Sequence, residues 1–512
     1  MMTRTIAALI GTHPSEAPAL GAPGRGWLSY GDLRALGAEV ARTLHAAGIG
    51  RGDRVAIVLP NGPEMAAAFF TVAQVATTAP LNPAYKEDEF AFYLEDLRAK
   101  ALIVADGETG PAIAAAGALG IPLIRLASSE ADPAGTFTLA SEHLLSEADT
   151  SPPCEDDVAL ILHTSGTTSR PKIVPLTQAN VFSSARNIHA SLALTPDDRC
   201  LNVMPLFHIH GLIAAVSATF AAGAQISCAP GFNALAFFQQ LKSVDPTWYT
   251  AVPTMHQGIL ARAPRNRDII DGVRLRFLRS SSASLPAPVM KELHETFGAP
   301  VIEAYGMTEA THQMCSNPLP PRAQKPGSVG LTAGPEVRIA SEVENTLLNP
   351  TDTGEIVISG PNVTPGYESN PKANADNFFN ADGKRWFRTG DQGAFDAEGY
   401  LSLTGRLKEI INRGGEKISP LEVDAVLLGH PEIAQVVCFA VPHARLGEDI
   451  AAAVVLTEGS DLSERDIQTY ASDRLARFKV PASIVLLDEI PKGATGKIQR
   501  IGMAEKLGLT DG

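Results

Sequence analysis

The sequence predicts an α/β protein: a large N-terminal domain of mainly parallel sheets flanked by helices, then a small α+β C-terminal domain. Three observations predict it. Short apolar runs of strand length, at 54–59, 100–105 and 158–163, alternate with helical stretches, which is the pattern of strands covered on both faces of a parallel sheet. The 512 residues exceed what one hydrophobic core supports. Near Gly405 the pattern changes, and this divides the chain into domains at 1–404 and 405–512.

The uncharged run 66–85 comes first, and a second uncharged run spans 212–241. A bilayer span needs about twenty continuous, strongly apolar residues. The second run is broken by Ser217, Thr219, Gln225, Ser227, Asn233 and the Pro230-Gly231 pair. Each run therefore reads as a buried helix followed by a strand and turn, and no membrane is expected as a partner. Residues 396–399 read as a turn, and 400–403 alternate like an edge hairpin. Beyond them, 420–428 reads as a helix, 436–441 and 451–456 as strands, and 462–475 as a helix with one polar face. No internal repeat or low-complexity tract interrupts this order.

Composition removes some function classes. The net charge of −14 argues against a nucleic-acid surface, which needs a clustered basic face. It does not argue against a nucleotide, which needs only a few well-placed cations. The five cysteines are far apart and form no CxxC pair, so they fit neither a zinc site nor a disulfide scaffold and suit a reducing compartment. The apolar stretch before His13 is too short for a secretory signal, and 509–512 carries no peroxisomal address or lipid anchor. The expected location is cytoplasmic.

The most informative segment is HTSGTTSRPK at 163–172. An apolar strand empties into hydroxyls, one glycine and two cations. Such a loop offers N–H groups and hydroxyls to phosphate oxygens, with Lys172 as counter-charge. It is not a Walker A loop, because no second glycine precedes Lys172. Composition alone leaves a polar surface turn open; the order of residues decides.

That order resembles the phosphate-binding signature of the AMP-forming acyl-CoA synthetase, luciferase and peptide-synthetase adenylation superfamily. Four further motifs similar to that family's follow in sequence: YGMTE at 305–309, TGD at 389–391, GRLKEIINRGGEKISP at 405–420 and PKGATGK at 491–497. The resemblance implies a ligase for a small-molecule carboxylate that uses ATP with Mg²⁺ as cofactor and coenzyme A as co-substrate. The carboxylate attacks the α-phosphorus and pyrophosphate leaves, so preorganised cations and donors must meet the developing negative charge.

By the same resemblance, Thr164, Ser165, Gly166, Thr167, Thr168 and Lys172 hold the ATP phosphates. Lys497 bridges the substrate carboxylate and the α-phosphate, Thr308 donates to that phosphate, and Glu309 is the magnesium carboxylate. Tyr305 stacks on adenine, with a core aromatic at a strand end as its other reading. Asp391 accepts from the ribose hydroxyls, and Arg406 makes a second ribose contact. Segment 405–420 is the hinge of a mobile lid, with Lys408 at the hinge position and Gly414-Gly415 giving backbone freedom where the pantetheine arm passes. A plain interdomain linker is the other reading, and both bend. Two departures stand out: Ser169 replaces a common glycine, and Ile173 puts a β-branched side chain beside the loop.

Substrate choice belongs to the segments that line the acyl group in this family, here PLFHIHGL at 205–212, RSSSASLP at 279–286 and ATHQMCSNPLPP at 310–321. No Asp or Glu lies between Met204 and Ala221, where amino-acid-activating relatives place a carboxylate. Histidines and serines do not suit a long apolar tunnel. They suit a small substrate with a second carboxylate, whose burial needs donors. HTSGTTSRPK, the serine-rich RSSSASL, the run EAYGMTEATHQMCSNPLPP at 303–321 with KPGSVG at 325–330, and TWYTAVPTMHQ at 247–257 resemble the oxalate–CoA ligase branch. His208, Ser282 and His312 are the expected contacts to the distal carboxylate. His208 and His210 have a second reading as core histidines, and His208 a third as an aromatic gate to the pantetheine tunnel. The alternatives are a CoA ligase for another small or dicarboxylic acid and an enzyme loading a carrier protein in trans. A silent scaffold is disfavoured by the joint presence of Lys497, Glu309, Asp391 and Arg406. A P-loop ATPase is disfavoured by the lysine spacing.

Overall fold

The structure, a computed structural model, describes residues 3–141, 147–164, 171–491 and 499–510. Its first large sheet has seven strands. Leu123–Ala127, Ala101–Ala105, Arg54–Val58, Thr77–Pro80 and Val158–Thr164 run parallel, in that spatial order. Thr138–Ser141 and Lys172–Thr177 close the edges antiparallel. The three apolar runs at 54–59, 100–105 and 158–163 are all central strands here, and their side chains are buried on both faces.

The second sheet has nine strands. Its parallel part runs Val301–Met307, Phe277–Ser280, Trp248–Ala251, Arg199–Asn202, Gln225–Cys228, Pro18–Gly21. His312–Ser316 and Leu331–Thr332 extend one edge antiparallel, and Leu28–Ser29 the other. A third, antiparallel sheet carries Lys384–Phe395 in its interior, between Gly354–Ser359 and Phe378–Ala381. The main hydrophobic cluster joins all three.

Both uncharged runs are core. The first gives the buried helix Pro63–Val72 and the strand Thr77–Pro80. In the second, a helical stretch ending at Ala218–Ala221 is followed by the strand Gln225–Cys228. Its opening differs from expectation, because His210–Ser217 is π-helical. A Cβ on Gly211 would lie 2.4 Å from the carbonyl oxygen of Pro205, so the chain runs too close there for any side chain. Ser217 Oγ donates to the carbonyl of Leu212 at 2.8 Å inside the widened coil. Among the described residues, no helix is long and apolar enough to cross a membrane.

The smaller C-terminal domain has its own sheet, in which Ile433–His443 pairs antiparallel with Gly447–Leu456 and Ser483–Leu486 pairs parallel with the latter. The helices Pro420–Leu427 and Glu464–Ser472 cover an apolar cluster centred on Ile411, Val423, Cys438 and Ile467. Ser463 and Asp466 form a capping box at the second helix, which is why the polar-faced run begins there. The segment read as a hairpin at 400–403 is longer than expected. It forms the strand Leu401–Arg406, which pairs with Lys384–Phe395 so that Arg406 lies opposite Asp391. Its register shifts beside Gly393.

Candidate active site

In open α/β sheets ligands gather at the carboxyl ends of parallel strands. Here Val158–Thr164 ends at the hydroxyl-rich loop, Phe277–Ser280 ends at the serine segment, and Val301–Met307 ends at the YGMTE motif. Thr164 and Lys172 face each other as the last pair of their hairpin. Ser165, Gly166, Thr167, Thr168, the departure Ser169 and the loop's other interior residue lie outside the described residues, as does Lys497. Ile173 is buried in the strand after the loop, and its carbonyl accepts from the N–H of Glu368 at 3.1 Å.

Near the end of Val301–Met307 the structure gathers Tyr305, Asp391 and Arg406, three of the residues expected at the nucleotide. The Tyr305 hydroxyl donates to Asp391 Oδ2. Arg406 Nε lies 3.3 Å from Asp391 Oδ1. The Tyr305 ring is 8% exposed and belongs to the main core, so its packing and its polar contact coexist. Burial pushes the Asp391 pKa up, while Arg406 and Tyr305 oppose that. The Asp391 charge in turn raises the Arg406 pKa.

Glu309 lies beside them, 6% exposed. Tyr367 Oη donates to its Oε1 at 2.7 Å, and Lys172 Nζ sits 4.4 Å above the Tyr367 ring. Burial raises the Glu309 pKa, with Tyr367, Arg406 and Lys172 acting to lower it. Thr308, half-buried, starts the one-turn helix Thr308–Ala310 that carries Glu309. Thr311 and His312 then take φ of 48° and 93°. These are costly conformations for residues with side chains, and such strain concentrates at functional sites. Gly306 permits the turn, since a Cβ there would lie 1.8 Å from the carbonyl oxygen of His312. Thr311 Oγ1 donates to the carbonyl of Asn362 at 2.7 Å and holds the turn shut.

The polar acyl segments meet at His210. Its Nδ1 lies 3.0 Å from Ser282 Oγ and its Nε2 2.6 Å from Thr250 Oγ1. The His312 ring lies 5.1 Å from the His210 ring. Ser282 is an exposed residue with φ of 73°, and its hydroxyl turns in to His210 from a strained loop. Ser282 and His312 therefore come together through His210. His208 is half-buried with its ring 4.5 Å from that of Phe207. Lys408 is exposed in the turn after Arg406. Behind that turn Arg500 reaches Asp424 at 2.7 Å and Glu409 at 3.5 Å, tying the segment after the PKGATGK motif to the start of the small domain.

Sequence reasoning missed two residues. Tyr367 follows Pro365-Gly366 with no chemical signature around it, yet it is the donor to Glu309. Arg279 stood at the head of the serine segment and is fully buried against His210, Thr250 and Gln313. A buried arginine in a strand cannot be told from an exposed one by pattern alone. Among the described residues, no group of three His, Cys, Asp or Glu is placed to hold a metal ion. A magnesium ion that keeps waters and phosphate oxygens needs only one protein carboxylate, and buried Glu309 beside Lys172 fits that demand.

The family model described as AMP-binding enzyme matches residues 8–368, and the one described as AMP-binding enzyme C-terminal domain matches 422–497. The chain belongs to the AMP-binding enzyme family. It is 45% identical over 509 residues to an oxalate–CoA ligase of Arabidopsis thaliana, covering 98% of each chain. It is 42% identical over 478 residues to an oxalate–CoA ligase of Saccharomyces cerevisiae, covering 89% of this chain and 87% of that one. ATP-bound MatB from Rhodopseudomonas palustris has the same fold, with a TM-score of 0.86 at 27% identity over 99% of both chains.

Proposed function

We propose that this protein ligates oxalate to coenzyme A through an acyl-adenylate, releasing AMP and pyrophosphate. The observation that carries the reading is a pair of clusters joined by the turn after Val301–Met307: a cation–carboxylate group around Asp391 and Glu309, and an imidazole–hydroxyl group around His210 and Ser282. The likeness to two ligases named for oxalate supports the substrate.

The chemistry follows from charge. A carboxylate oxygen attacks the α-phosphorus, the bond to the bridging oxygen breaks, and pyrophosphate departs. Lys172 and the loop 164–168 bind the phosphates, and Lys497 and Thr308 meet the charge on the α-phosphoryl oxygens. Tyr305 and Asp391 position the nucleoside with Arg406. Glu309 would hold Mg²⁺, which when bound would supply Lewis-acid neutralisation of the phosphate oxygens. The thiol then attacks the acyl carbon and AMP leaves. Domain 405–512 acts as a lid that turns about Lys408 between the two steps, withdrawing Lys497 from domain 1–404. His208, Ser282 and His312 line the acyl pocket. The expected setting is the cytoplasm.

The test is an acid panel with ATP, Mg²⁺ and coenzyme A. Oxalate-dependent pyrophosphate release is expected to exceed that with acetate, octanoate or coumarate by far. Equal rates with the hydrophobic acids overturn the substrate assignment.

A further inference from the structure

Arg279 sits at the end of the strand Phe277–Ser280 and is fully buried. Taking a guanidinium out of water without a counter-ion is strongly unfavourable. Yet among the described residues no carboxylate reaches it. Its contacts are neutral: His210 Nε2 at 3.3 Å, Thr250 Oγ1 at 3.4 Å and Gln313 Oε1 at 3.2 Å, while Nε has no partner. Burial lowers its pKa to about 9, which leaves it charged at neutral pH. A charge kept in the core at such cost without an internal partner marks a place for a ligand anion.

We infer that Arg279 is the counter-charge of the acyl pocket, a positioning residue that acts through His210 and Ser282 to select carboxylates bearing a second negative group. The inference rests on the ligase reading above and deepens it. A guanidinium carries only donors, so the imidazole nitrogen facing it is the acceptor. The His210 proton is thereby fixed on Nδ1, which points at Ser282 Oγ at 3.0 Å. With its oxygen engaged by that N–H, the Ser282 hydroxyl is left to donate outward, from an exposed position. Each link polarises the next, so the buried charge is felt at the pocket surface. A neutral or apolar tail gains nothing from this chain; an anionic one does.

The experiment compares oxalate with glyoxylate, which has an aldehyde in place of the distal carboxylate. In Arg279→Gln, the oxalate-to-glyoxylate ratio of kcat/KM is expected to fall by about tenfold or more, chiefly through the KM for oxalate, with the KM for ATP unchanged. Arg279→Lys is expected to regain much of the ratio. An Arg279→Gln enzyme with the parent ratio, or two variants that lose both acids alike, overturns the inference. ATP affinity reports folding in each variant. Should Arg279→Gln not fold, Gln313→Glu pairs the guanidinium in place, and an unchanged ratio in that variant overturns the inference equally. A parent enzyme with no preference for oxalate over glyoxylate overturns the ligase's substrate assignment and this inference together. A preference that survives Arg279→Gln overturns only the latter.

Discussion

Glu303 is buried on the strand that leads to the YGMTE motif, where its Oε1 accepts from the N–H of Leu285 at 2.8 Å and so anchors the serine segment. Burial pushes its pKa up to about 8. A carboxyl raised in the folded state stabilises fully below its unfolded pKa, and that contribution is lost as pH rises through the folded value. Glu303→Gln removes the titration. Its Tm advantage over the parent is expected to grow from pH 5 to pH 8.5 and then level off; a pH-independent difference contradicts the assignment. Tyr367→Phe deprives buried Glu309 of its donor. A hydrogen bond to a carboxylate contributes about 1.5–3 kcal/mol, so adenylation at limiting Mg²⁺ should fall by about ten- to a hundredfold. Unchanged magnesium dependence would tell against Glu309 as the metal carboxylate. At this scale the sequence singled out residues that sit in ordered motifs, such as Asp391 and Arg406, which the structure pairs. It hid Tyr367 and Arg279, whose importance lies in burial and partners from distant segments.

At the scale of elements, the strained turn after Val301–Met307 joins the two halves of the site, because Glu309 belongs to one cluster and His312 to the other. Gly306→Ala places a methyl group against the His312 backbone, which cannot swing aside. Overpacking of this kind costs about 1–3 kcal/mol, and the urea midpoint and oxalate turnover are expected to fall together. A lowered midpoint with full turnover would separate the turn from catalysis. The apolar runs were legible as strands because burial on both faces leaves a plain signature. The π-helical opening at His210 was not, since an uncharged run has no polar face to reveal its period. The strand Leu401–Arg406 outran its reading because Gly405 and Arg406 pair across to residues that only the fold brings near.

For the whole molecule, the order of five motifs along the chain was more telling than any one of them, and it placed the lysine motif at the tail of the small domain. Lys497→Ala is expected to slow adenylate formation by about a hundred- to a thousandfold while leaving the conversion of supplied acyl-adenylate to thioester intact. Equal loss of both half-reactions would contradict a lid with two positions. Through an acyl-adenylate, a carboxylate oxygen becomes bonded to the α-phosphorus and stays there when the thioester forms. Turnover of ¹⁸O-labelled oxalate with ATP and coenzyme A, followed by mass spectrometry of the nucleotide, tests this directly. One labelled oxygen is expected in AMP and none in pyrophosphate; ADP as product, or AMP without label, would rule out the acyl-adenylate.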